Sequence, residues 1–256
     1  MLPPGRRIEE EPLHLAVGPD VTPPRIRGCR AYQTELPLDD LVEAHGVVRT
    51  GDLRTAFDLG RYGPRPQAVA AVDAFLHTER ADLAELWRRA RLLSGVRNCR
   101  LLRANLAVVD AGVDSPAESV QRVLFIDAGL VRPKTQIGVF DRTGALIGYL
   151  DMGWPGYQVG SEFDGEEYHG LREQIEHDEY RRRRMRTEAD WIVDSASRLD
   201  LWGRPAALVA RTAGLLVGRG WRPPPQVMDQ IVRAAEHESR TGRRWVWMPL
   251  DRLLAA

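Results

Sequence analysis

Hydrophobic and polar positions follow different rhythms in successive parts of this chain. Up to about residue 63, short β-prone pieces at 13–17 and 30–34 are punctuated by Pro3, Pro4, Pro19, Pro23 and Pro24. Proline lacks the amide a ladder needs, so these pieces predict short strands in an irregular setting. Residues 47–58 turn helical in their second half, where Leu53, Ala56 and Phe57 share a face, with Thr50 or Asp52 as N-cap. After the break Gly63-Pro64-Arg65-Pro66, apolar residues recur at helical spacing. Val69, Val72, Phe75 and Leu76 form one stripe, Leu83, Leu86, Trp87 and Ala90 a second, and Cys99, Leu102, Leu106 and Val109 a third. Three core-packed helices are predicted, with Gly95 ending the second.

A new pattern begins at Asp114-Ser115-Pro116-Ala117-Glu118. Ser115 can cap, Pro116 suits the first helical position, and Glu118 completes a capping box. That helix should run to Asp127 and stop at Gly129. Residues 135–141 alternate as a strand, Arg142-Thr143-Gly144 turns the chain, and a second strand carries Asp151. A third, at 157–163, carries Glu162, and Pro155-Gly156 would join the two as a hairpin at one sheet edge. A polar helix at 170–187, a short strand at 191–195 and a helix at 204–217 follow. The predicted class is α/β, an αβββαβ core behind an N-terminal α+β region. The expected units are a β-rich segment (1–63), a helical connector (64–113), the αβββαβ domain (114–218) and a tail (219–256). The tail holds one amphipathic helix and the aromatic run Trp245-Val246-Trp247.

Composition narrows the function classes. The 36 basic and 36 acidic residues cancel, so charge alone would not give tight nonspecific nucleic-acid binding, and any such binding needs a local patch. Cys29 and Cys99 form no CxxC pair, which fits a reducing cytosol. The first residues have no apolar signal core, and no run approaches a membrane span, so a cytoplasmic setting and no membrane partner are expected. No GxxxxGK[ST], GxGxxG or GxSxG motif is present, so no nucleotide cofactor is expected.

The candidate chemistry is acidic. Asp151 lies in an apolar run that ends at Trp154-Pro155, and Glu162 and Asp164 close the next one, sharing a strand face. Clustered carboxylates repel unless a cation neutralises them, and hard oxygens suit Mg²⁺ or Mn²⁺; two solvated strand ends are the other reading. The dense run Arg181, Arg182, Arg183 and Arg184, with Arg186, offers phosphate contacts or a solvated helix paired with Glu173, Glu176, Asp178 and Glu179.

Three motifs in order, DSPAES (114–119), LDMGWP (150–155) and EFDGEEYH (162–169), resemble the very-short-patch-repair-like nucleases of actinobacteria, in the PD-(D/E)XK superfamily. The likeness covers about residues 115–216. Upstream, TGDLRTAFDL (50–59) is similar to the middle segment of AbiEi-like proteins, antitoxin-type regulators of abortive-infection systems. Those relatives start with a winged helix-turn-helix, and this sequence begins about where that module would end.

The nuclease resemblance implies that Asp151 and Glu162 bind Mg²⁺ or Mn²⁺, that Glu118 joins them, and that DNA is the substrate. Such an ion would act as Lewis acid and activate water for phosphodiester hydrolysis. Asp164 stands where the superfamily's E-x-K places a lysine, and no cation is evident there. His169 resembles the histidine that follows E-x-D in related members. It would serve as general acid or base, its alternative being a packed helix-start histidine. The expected function is metal-dependent DNA endonuclease. The alternatives are a non-enzymatic AbiEi-type antitoxin or transcriptional regulator, or a degenerate nuclease fold kept for a partner protein.

Overall fold

The computed structural model describes residues 13–165 and 172–248. Its class is α/β, as the sequence predicts. Strands β1 (Leu13–Val17) and β2 (Cys29–Gln33) pair in parallel. Strands β3 (Leu41–Ala44) and β4 (Val47–Thr50) form an antiparallel hairpin that the sequence reading missed. Its turn is His45-Gly46, with φ of 54° and 74°. Two positive φ values match the twist of a tight hairpin, and Gly46 was the available signal.

Helix α1 (Asp52–Arg61) starts at Gly51 without a side-chain cap, which corrects the expectation for Thr50 or Asp52. Thr50 ends β4, and its hydroxyl meets that of Thr55 at 2.8 Å. The Asp52 carboxylate instead holds Arg80 at 2.7 Å. Helices α2 (Arg65–His77), α3 (Leu83–Leu92) and α4 (Cys99–Leu106) close with α1 around Phe57, Val69, Val72, Leu86 and Leu102. The three apolar stripes thus meet in one cluster.

Helix α5 (Pro116–Asp127) follows, and Ser115 caps it by accepting from the Glu118 amide at 3.2 Å. The expected box is half made, because the Glu118 carboxylate accepts from the Asp114 amide at 3.3 Å and not from Ser115. The main sheet has the order β5 (Lys134–Phe140), β6 (Leu146–Trp154), β7 (Val159–Asp164), β8 (Ile192–Ser197). Its first two pairings are antiparallel and its last parallel. Helix α6 (Arg172–Ala189) docks through Met185, which packs with Val139, Leu150 and Trp191. Helix α5 and helix α8 (Pro205–Gly218) share a second cluster with Met152, Val159 and Ala196. The short helix α7 (Arg198–Trp202), which the sequence reading did not separate, carries a complete capping box between Ser197 and Asp200.

Helix α9 (Pro225–Thr241) adds Val227 and Ile231 to the α5–α8 cluster. Its buried Glu238 accepts from the amides of Ala206 and Ala207 at 3.3 and 3.0 Å, so its charge sits on the orphan donors opening α8. Replacing Glu238 with alanine is expected to cost about 1–3 kcal/mol, because two buried amides lose their acceptor. Thermal unfolding checks this, and an unchanged midpoint would remove Glu238 from the cap.

Candidate functional site

The acids gather where β6 and β7 stop pairing. Their ladder runs Trp154↔Val159, Gly153↔Gly160 and Met152↔Ser161. Past it the Asp151 side chain takes over, its Oδ2 accepting from the Phe163 amide at 2.8 Å. The turn through Pro155 therefore does bring Asp151 beside the strand of Glu162. The expected position at a sheet edge is corrected, because β5 and β8 flank these strands and make them central. The acids lie at the strand ends.

Glu118 reaches the same region from the first turn of α5 and is buried. Its carboxyl is pushed above the usual range, mainly by burial, against the Ser115 hydroxyl and the Asp114 amide. Asp151 rises further, to about 7: burial contributes most, and the charges of Glu118 and Glu162 add to it against the Phe163 amide. Asp151 thus feels the charges of both other predicted metal-binding acids. Gln136 was not singled out from the sequence. It has φ 47° within β5, and its amide lies 3.5 Å from Glu118 Oε2.

Glu162 is 4% exposed, and its two oxygens have different partners. Arg181 Nη1 donates to Oε1 at 2.7 Å, and Arg182 Nε donates to Oε2 at 2.8 Å. Arg182 also grips both oxygens of Asp164, at 2.8 and 3.0 Å, and the Ser195 hydroxyl donates to Asp164 as well. Burial alone would lower both guanidinium pKa values, but Glu162 together with Asp178 for Arg181, and Glu162 together with Asp164 for Arg182, outweigh it and raise them. The expectation that no cation stands near the missing lysine is therefore corrected: two arginines from α6 fill that place. Glu162 and Asp164 do share a partner on one side of β7, as their spacing implies.

The rest of the arginine run diverges, as helical geometry requires. Arg184 holds Glu188 at 2.8 Å, and Arg183 lies over the Tyr180 ring. Lys134 and His177 are exposed, and His169 lies outside the described residues.

As arranged, this site does not fit a divalent ion. Among the described residues no group of three His, Cys, Asp or Glu side chains converges to hold one. An ion at Glu162 would sit beside two guanidinium groups already bonded to its oxygens. The arrangement resembles a charge-balanced ion-pair network more than an open coordination site.

Among the described residues no helix is long and apolar enough to cross a membrane. Two uncharacterised proteins of Mycobacterium tuberculosis, from strains CDC 1551 / Oshkosh and ATCC 25618 / H37Rv, are each 27% identical to the chain over 173 residues. That stretch is 68% of this chain and 63% of each relative. No solved structure matches the chain. Residues 13–108, the segment from β1 to just past α4, match the family described as the AbiEi antitoxin C-terminal domain.

Proposed function

We propose that this protein is a non-enzymatic regulator of the AbiEi antitoxin type, working in the bacterial cytoplasm. The observation that carries this reading is the family match over residues 13–108. Helices α1 to α4 of that segment build one apolar cluster, to which α5 adds Val123. The partner in this reading is a toxin of the nucleotidyltransferase type, and promoter DNA is a second ligand. Residues 114–218 then serve as a degenerate nuclease fold used for contacts.

Growth arrest by a nucleotidyltransferase toxin found encoded beside this chain is expected to be relieved when the chain is co-expressed. Arrest that persists in the presence of soluble chain would overturn the reading. Promoter binding that survives a metal chelator would support it further.

One observation favours a second reading, a DNA endonuclease. The element order α5, β5, β6, β7, α6, β8 draws Glu118, Asp151 and Glu162 toward one end of the sheet. That reading requires Arg181 and Arg182 to release Glu162 before Mg²⁺ or Mn²⁺ could reach it. It predicts DNA cleavage that disappears in Asp151→Ala and in Glu162→Ala. Equal cleavage by wild type and both variants would eliminate it.

A further inference from the structure

We infer that Arg181 and Arg182 are the resident counterions of the acidic site and occupy the place a divalent metal would otherwise take. A nearly inaccessible carboxylate such as Glu162 cannot remain charged without a partner. Here each oxygen has its own guanidinium, and Arg182 extends the network by a two-point grip on Asp164.

The fold is shaped around this arrangement. Arg181 Nη1 also donates to the Tyr149 carbonyl at 2.8 Å, which ties α6 to β6. Gly148, on the same strand, leaves room for the arginine stem: a Cβ there would lie 2.9 Å from Arg181 Cδ and 3.3 Å from Met185 Cε. Met185, fully buried, fixes the helix turn that presents both arginines. Two fixed positive charges on the oxygens an ion would need oppose its entry by like-charge repulsion. Glu162 and Asp164 are therefore charge-balanced without metal. This inference goes beyond the antitoxin reading and does not depend on it.

Calorimetric titration of the full chain with Mn²⁺ tests it. Wild type and Glu162→Gln are expected to take up Mn²⁺ equally weakly. The double variant Arg181→Gln, Arg182→Gln is expected to bind about tenfold tighter or more, and adding Glu162→Gln to it should abolish the gain. A folded double variant with no gain would overturn the inference, as would wild-type binding that Glu162→Gln weakens tenfold. If the double variant does not fold, wild type alone decides: stoichiometric Mn²⁺ uptake at micromolar protein overturns the inference, and its absence upholds it. Toxin rescue is a separate measurement, so failure of either idea leaves the other readable.

Discussion

Asp73→Ala is expected to destabilise the protein by about 3–5 kcal/mol, the cost typical of leaving one partner of a buried ion pair alone. Asp73 lies on α2 and Arg122 on α5, and they are 1% and 0% exposed. Arg122 Nη2 meets Asp73 Oδ2 at 2.7 Å. Asp73 Oδ1 accepts from the Asp110 amide at 2.7 Å, and Arg122 also donates to the Val108 carbonyl. Burial pushes the Asp73 carboxyl above its usual range despite the opposing charge of Arg122, so desolvation is already a large cost here. Removing the carboxylate would strand both a guanidinium and an amide. Replacing both partners, as Asp73→Leu with Arg122→Met, is expected to recover at least half of the loss, because no charge is then left unpaired. Urea unfolding measures both. A single variant costing less than about 1 kcal/mol would show that the pair is solvated in solution. Because α2 belongs to the antitoxin-like segment and α5 to the αβββαβ core, loss of this pair should loosen their junction first.

Asp151→Asn is expected to stabilise the protein at alkaline pH and not at acid pH. The carboxyl is raised from the ordinary 3.8 to about 7. The folded state therefore holds this proton more firmly than the unfolded state. Its contribution to stability is complete below about pH 4 and is lost as pH rises through 7. Above pH 7 wild type carries an ionised, largely buried carboxylate facing Glu118 and Glu162. Asparagine removes that charge and can still accept from the Phe163 amide. The interval from 3.8 to about 7 corresponds to about 4 kcal/mol, a ceiling because Asp151 retains some exposed surface. Unfolding curves at pH 4 and pH 8 separate the outcomes. An identical difference between variant and wild type at both values would mean that Asp151 is not titrating in this interval.

Local signals were read well because they depend on local physics. The Ser115 cap and Pro116 mark the start of α5, and Gly129, at φ 90°, supplies its stop. The Pro155 turn put Asp151 and Glu162 on neighbouring strands, and proximity of the two acids follows from that turn. The β3–β4 hairpin escaped because histidine replaces the usual asparagine before Gly46. The N-cap of α1 was misread because Thr50 and Asp52 spend their side chains on Thr55 and Arg80.

By itself, then, the sequence determined the element order from α5 to β8, the core stripes of α2 to α4, and the turn that sets Asp151 beside the strand of Glu162. These follow from side-chain periodicity, capping and turn stereochemistry within a few residues. Tertiary structure alone decided that the acid-bearing strands are central and that Arg181 and Arg182 close on Glu162. Helix α6 is polar almost all round, so no apolar stripe announces which side meets the sheet. Its rotation is set by Met185 seating among Val139, Leu150 and Trp191, residues contributed mostly by other elements. That contact, 23 positions beyond Glu162 in the chain, converts a run of arginines into the site's counterions.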